Sequence, residues 1–164
     1  MIPDRFHELP LHPLAVHASV VLVPLATLLA ILFAVPRTRS WSALAMPMVS
    51  VAALVSVFVS RESGFNLKND LGIGEAIEDH QDKANTLFYM LIVFAIIAVA
   101  VFVLYRQADR FTGPVQYVAC GILVVGALVV AYQTYLVGEA GSKVVWGSGD
   151  SDDSISVIVG HAAP

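Results

Sequence analysis

The sequence predicts an all-α integral membrane protein built as a bundle of four transmembrane helices, and three observations support this prediction. Hydrophobic residues make up 57% of the 164-residue chain and charged residues only 13%. The mean hydropathy is +0.76, whereas a soluble domain of ordinary composition carries about 25% charged residues. Finally, four separate stretches are long and apolar enough to cross a bilayer, which takes about 20 residues in helical form.

The predicted spans are bounded by residues that commonly begin or end helices. Pro13 suits the first helical turn of span one, because its missing N–H costs no hydrogen bond there, and Pro36 closes that span. Pro24 and Pro47 lie inside spans one and two and predict kinks. Gly113 opens the fourth span. The four spans are Leu14–Val35, Ala43–Ser60, Asn85–Tyr105 and Pro114–Val137.

The chain is predicted to form one four-span domain, residues 1–146, followed by a polar tail, residues 147–164. The tail is rich in Ser, Asp and Gly and is expected to be loosely ordered, with Ile155–Val159 as a short strand or an interfacial anchor. His161 near its end is expected to be incidental. Met1–Pro10 has mixed charges, so it does not have the basic start of a signal peptide.

Charge and motif content exclude several classes of function. The net charge is -4 and the chain has no basic patch, so nothing indicates nucleic-acid binding. The single cysteine, Cys120, excludes an intrachain disulfide and a cysteine-based metal site, and it is expected to be a packing residue. The chain has no phosphate-binding glycine loop, nucleophile elbow, zincin motif or CxxCH motif, so no stand-alone catalytic motif is present.

Orientation in the membrane is predicted from the positive charges in the short loops. Arg37 and Arg39 lie between spans one and two, and Arg106 and Arg110 lie between spans three and four. Cytoplasmic loops carry an excess of Lys and Arg, so these two links are expected to face the cytoplasm. Both termini and the long acidic link between spans two and three are then expected on the outer side.

Two histidines stand where the first span enters the membrane, in Leu11-His12-Pro13-Leu14-Ala15-Val16-His17. Imidazole binds metal ions and haem iron, and it is costly to leave without a partner in hydrocarbon. The two rings are about 140° apart around a helix, so they do not share a face, and His17 is the better inward candidate. The predicted topology collects His7, His12, His17 and His80 at the outer face.

His80 lies in a polar segment that is predicted to form the first turns of the third helix, where acidic residues favour the helix N-terminus. It shares one helical face with Ala84, Leu87 and Leu91 and therefore continues the apolar stripe of that helix upward. Glu139, just past span four, is interpreted as a solvated helix end.

Three kinds of site fit the histidines. The first is haem b between helices near the outer surface, because four-helix bundles project ligands from facing helices into a shared core. Its predicted axial pair is His17 and His80, with His12 as the alternate, provided that spans one and three adjoin. The second is a metal site in which the three histidines are joined by Asp79 or Asp82. The third has no cofactor, and the histidines hydrogen-bond carbonyls at the helix ends.

Small residues predict where helices approach closely. Ala52, Ser56 and Ser60 are spaced four residues apart in span two, and Ala15 and Ser19 repeat this spacing in span one. Such small-residue seams let transmembrane helices pack tightly. Packing, rather than a ligand or relay role for the Ser56 hydroxyl, is the favoured interpretation.

The opening histidine motif, the four spans, His80 before the third of them and Gly138-Glu139-Ala140-Gly141-Ser142-Lys143-Val144-Val145 after the fourth resemble the bacterial membrane family known as domain of unknown function 2231. The resemblance covers nearly the whole chain except the tail. Family members carry a doubled glycine where this chain has Gly141-Ser142, and Phe-Pro after the second histidine where it has Ala18-Ser19. The family's domain occurs joined to cytochrome c or Rieske-type modules, which implies a respiratory setting in the bacterial plasma membrane.

The function predicted from these observations is a small haem-b membrane subunit that serves respiratory electron transfer at the outer face. Quinone, a cytochrome or a Rieske-type protein is its expected redox partner. The alternative is a cofactor-free structural or accessory subunit of a larger respiratory complex. Transport or metal handling is a less favoured third hypothesis, because no span carries a charged residue at mid-depth.

Overall fold

The computed structural model describes residues 5–6, 9–71, 78–107 and 109–146, with side chains described for residues 14–64, 78–107 and 109–143. A short antiparallel hairpin of two paired strands precedes the first helix. The elements are β1 (Arg5–Phe6), β2 (Leu9–Pro10), α1 (Leu11–Ala34), α2 (Arg39–Ser42), α3 (Ala45–Leu71), α4 (Glu78–Arg106) and α5 (Gly113–Trp146). The tail predicted for residues 147–164, with its strand or anchor at Ile155–Val159, lies outside the described residues, as do His7 and His161.

Four of these helices, α1, α3, α4 and α5, are long and apolar enough to cross a membrane. The four predicted spans are therefore confirmed, and the protein is an all-α membrane bundle. The helices α3 and α4 continue well beyond the apolar runs on the side of the long acidic link, into segments of largely polar sequence. Pro24 lies within α1, and Pro47 lies in the first turn of α3.

The four long helices form a closed ring. The helix α1 packs against α3 and α5, and α4 packs against the same two helices, so α1 and α4 lie diagonally across the bundle. The contact between α1 and α3 is the most extensive of the four. Each helix thus has two neighbours and one partner across the core, which is the arrangement of a four-helix bundle.

The core is filled by large apolar side chains next to very small ones. Phe33, Phe94 and Leu91 are almost completely buried, and so are the alanines of α1 and α3 that let those two helices approach closely. On α5, a Cβ atom at Gly126 would lie 3.3 Å from Cδ2 of Phe94. Glycine at this position therefore makes room for the aromatic ring. The fully buried alanines of α1 and α3 are Ala26, Ala30 and Ala53.

One end of the bundle, here called the Arg39 end, holds the two short links. Arg39 donates from Nε to the Phe33 carbonyl and from Nη2 to the Ala34 carbonyl, both at 3.0 Å. Its guanidinium carbon also lies 5.7 Å from the Phe33 ring centroid and 5.4 Å from that of Phe111. Arg39 therefore satisfies carbonyl groups at the C-terminus of α1 and ties this link to the segment that precedes α5.

The predicted seam of small residues on α3 is correct for Ser56 and wrong for Ala52. Ser19 Oγ donates to Ser56 Oγ at 3.1 Å, which joins α1 to α3 inside the bundle. Ala52, by contrast, is exposed. A strict four-residue spacing drifts about 40° around a helix at each step, so the buried stripe alternates steps of three and four residues and passes through Ser50, Ala53 and Val57 instead.

Replacing Ser56 with Leu should lower the melting temperature of the protein in detergent. A larger side chain in this interface must displace α1, and inserting extra methylene groups into a packed core costs typically about 1–3 kcal/mol. Ala52→Leu is the matched control on the exposed face of the same helix and should leave the melting temperature unchanged. Circular dichroism during heating measures both, and equal values for Ser56→Leu and the wild type would contradict the packing of α1 on Ser56.

Candidate functional site

His80 occupies the opposite end of the bundle, here called the His80 end. It lies in the first turn of α4 and is partly buried. Its Nδ1 atom is 3.1 Å from the Val137 carbonyl oxygen on α5. Because a carbonyl only accepts hydrogen bonds, Nδ1 carries the hydrogen in this contact, and Nε2 is the ring nitrogen that this contact does not use.

Gly141 on α5 makes room for this imidazole. A Cβ atom at Gly141 would lie 3.3 Å from both Cε1 and Nδ1 of His80, whereas one at Gly138 would meet nothing within 4 Å. Both glycines are visible in the sequence, but no sequence pattern predicts a contact for either of them. A glycine inside a helix costs about 1 kcal/mol relative to alanine, so its presence often indicates that another side chain packs closely against it. This cost could have identified Gly141 as a contact position.

A second contact between α4 and α5 lies close to His80. The buried Gln133 side chain donates from Nε2 to the Lys83 carbonyl at 3.0 Å. This contact was missed by sequence analysis, because a single glutamine in an apolar run has no periodic pattern to identify its partner. Together, the His80 and Gln133 contacts join the first turns of α4 to the last turns of α5.

Charged residues near His80 pair within their own helices. Lys83 contacts Asp79 at 2.6 Å, and Lys143 contacts Glu139 at 2.7 Å, each across one helical turn. Such exposed pairs add little to the stability of a helix. Glu139 therefore has the surface position that the sequence predicted, but α5 continues to Trp146, so this residue lies about two turns before the helix ends.

The predicted face of α4 is confirmed. Leu87 and Leu91 are buried in the core, and His80 and Ala84 continue that face with partial burial. The ring of His80 leans from this face toward α5.

The structure places the other predicted ligand elsewhere. His17 is exposed on α1, and α1 lies diagonally from α4. The expectation that the first and third spans adjoin is therefore wrong, because the two neighbours of α1 in the ring are α3 and α5. The side chain of His12 lies outside the described residues.

A compact metal cluster is not found in the part of the chain that the structure describes. Within it, no group of three or more His, Cys, Asp or Glu side chains is placed to hold a metal ion. The site that the described residues do build consists of the His80 ring, the Val137 carbonyl and Gly141, and it is called the His80 site below.

The fold defines the class of protein first: a multi-pass helical membrane protein with a polar site at one end. Residues 8–151 match the model of the family described as predicted membrane protein (DUF2231), and the chain belongs to that family. The matched region contains both the opening histidine motif and the glycines that follow the fourth span. Neither a curated protein nor a solved structure matches the chain.

Alanine substitutions at the two glycines of α5 should have different effects. Gly138→Ala should raise stability by up to about 1 kcal/mol, because alanine is the better helix former and the new methyl group meets nothing. Gly141→Ala should gain less than this or lose stability, because its methyl group presses on the His80 ring. Thermal unfolding in detergent measures both changes.

The same comparison in a His80→Ala background isolates the ring. Once the imidazole is removed, Gly141→Ala should stabilise the protein as much as Gly138→Ala does. A difference between the two glycine variants that persists without the ring would mean that Gly141 contacts something other than His80.

Proposed function

We propose that the protein is a small haem-b-binding subunit of the bacterial plasma membrane that serves respiratory electron transfer at the His80 end. The observation that supports this most is the orientation of the His80 ring. Histidines that bind metals almost always donate their second ring N–H to a carboxylate or a backbone carbonyl, which fixes the tautomer and directs the other nitrogen at the metal. The Nδ1 contact with Val137 is of this kind.

In this proposal the residues of the chain would hold the group. His80 would bind the iron through Nε2, and Gly141 leaves the space in which the ring is seated. His17 is the proposed second ligand and His12 the alternate, each from another helix than His80. His17 would have to turn inward from its exposed position to serve the same iron. Haem b, when bound, supplies a one-electron redox centre.

A structural role is the second candidate, and one observation favours it. The His80 and Gln133 contacts join α4 to α5 using protein atoms alone. In a cofactor-free accessory subunit of a respiratory membrane complex, joining these two helices would be the whole role of the two side chains.

An absorption spectrum of the protein purified after expression with ample haem separates the two candidates. The haem proposal predicts a reducible Soret band with a low-spin signature that disappears in His17→Ala and in His80→Ala and weakens less in His12→Ala. His161→Ala is the matched histidine control and should leave the spectrum unchanged.

A colourless protein would contradict the haem proposal. If His80→Ala then lowered the melting temperature while His17→Ala did not, the structural role would be the one supported. Elemental analysis for zinc and copper would test whether another metal takes the place of haem.

We also propose that both termini and the His80 end face the outer side of the membrane. The arginines of both short links lie at the Arg39 end, and an excess of positive charge in short loops is typical of the cytoplasmic side. A cytochrome or Rieske-type redox partner would then approach the His80 site from outside.

Cysteine labelling in intact cells tests this orientation in a Cys120→Ala background. Arg37→Cys and Arg110→Cys lie on exposed positions of the short links and should be protected from a membrane-impermeant thiol reagent. Glu78→Cys, exposed at the start of α4, and Ser151→Cys should be labelled. The reverse pattern would place the His80 site on the cytoplasmic side and contradict the proposed orientation.

A further inference from the structure

Arg61 on α3 is held in a fixed position by α4. Its Nε donates to Asn85 Oδ1, and its guanidinium carbon lies 5.2 Å from the centroid of the Phe88 ring. A hydrogen bond on one edge and an aromatic face below together restrict the rotation of a side chain that is otherwise very flexible.

The other edge of the Arg61 guanidinium is available for a ligand. Among the described residues, its Nη atoms have one ionic contact, from Nη1 to Glu62 Oε1 at 3.6 Å. That distance is too long for a hydrogen bond. The Arg61 side chain is 29% exposed, so an anion from outside the chain can reach the two Nη groups.

The depth of Arg61 in the membrane indicates which anion it meets. The run between Arg39 and Arg61, through α2 and the first part of α3, is uncharged, and residues Arg39–Gly64 are long and apolar enough to cross the hydrocarbon core of a bilayer. Arg61 therefore stands at the boundary of that core on the His80 side. Lipid phosphate groups lie at this level.

Apolar side chains below Arg61 fit the rest of a lipid molecule. Phe58, Phe88 and Tyr89 form a row with ring centroids 5.9 and 5.6 Å apart. Phe58 is 41% exposed and Tyr89 60% exposed, and both lie about one helical turn deeper than Arg61 or Asn85. Tyrosine rings are enriched at this membrane interface, where an apolar body and a polar tip are both satisfied.

We propose that Arg61, Asn85, Phe58 and Tyr89 form a binding site for one anionic phospholipid. The two Nη groups of Arg61 donate to the phosphate oxygens, since the planar guanidinium matches a phosphate in two-point contacts. The upper part of an acyl chain lies against Phe58 and Tyr89. A phosphate on this edge competes with the Glu62 carboxylate 3.6 Å from Nη1, and a lipid of net negative charge is favoured over a zwitterionic one because it brings no positive group of its own to the site.

The test is a lipid titration of the detergent-purified full chain, followed by native mass spectrometry. The wild type should retain phosphatidylglycerol in preference to phosphatidylcholine. Arg61→Gln should bind phosphatidylglycerol about fivefold more weakly, which corresponds to about 1 kcal/mol, the upper range for one exposed charge pair. Arg106→Gln, an exposed arginine at the opposite end, is the matched control and should change the affinity less.

A gain of binding gives an independent check that does not depend on Arg61→Gln folding. Glu62→Gln removes the carboxylate next to the open edge and should tighten phosphatidylglycerol binding. Unchanged or weaker binding in Glu62→Gln, or equal losses in Arg61→Gln and Arg106→Gln, would overturn the site. Displacement of the lipid from the wild type by millimolar inorganic phosphate would show a site for free phosphate rather than lipid and would overturn the proposal as well.

Discussion

The close packing of α1 on α3 is the interaction on which the rest of the bundle depends. In a bilayer, lipid tails are as apolar as the helices, so burial from water contributes little to helix association and close packing must supply it. Ala26 and Ala30 on α1 and Ala53 on α3 have no exposed surface, and the hydroxyl contact between Ser19 and Ser56 joins the same two helices. With α1 fixed beside α3, it can close the ring by contacting α5.

The two ends of the ring are stabilised by different chemistry. At the Arg39 end a single guanidinium donates hydrogen bonds to carbonyls of α1 and lies over two aromatic rings. One charged side chain therefore joins the end of α1 to the segment that precedes α5. At the His80 end the side chains of His80 and Gln133 contact carbonyls of the facing helix. Imidazole can bind a metal and guanidinium cannot, which is why the His80 end and not the Arg39 end is the candidate site.

The positions of the spans were predictable because the length of an apolar run and the residues at its ends report directly on bilayer thickness. The face of α4 that carries His80 was also predictable, since Leu87 and Leu91 extend the same stripe into the core. The order of helices around the ring was not. Every span is apolar on its lipid-facing side as well as on its core-facing side, so periodicity does not distinguish the two. Because of that ambiguity, the sequence did not predict three features of the structure. These are the exposed position of Ala52, the diagonal placement of α1 and α4, and the exposure of His17.

The contacts of the His80 site were hidden from the sequence for a different reason. The partner of the ring is a backbone carbonyl, which every residue possesses, and the space for it is provided by a missing side chain at Gly141. Neither a backbone carbonyl nor a missing side chain is marked by a particular residue type. A sequence pattern therefore cannot pair either of them with a histidine that lies 57 or more positions earlier along the chain. The glycines were visible, but only the packing of α4 on α5 distinguishes Gly141 from Gly138.

The energetics of the His80 site bear on whether its role is only structural. A hydrogen bond between the ring and the Val137 carbonyl contributes about 1 kcal/mol to stability. Glycine in place of alanine at position 141 costs about the same amount in helix stability. The two contributions nearly cancel. The pair of His80 and Gly141 therefore makes the bundle little more stable than a pair of alanines at positions 80 and 141 would. In the proposed haem-binding role the same arrangement has a use that helix packing does not give it, because metal-binding histidines are oriented by a hydrogen bond of this kind.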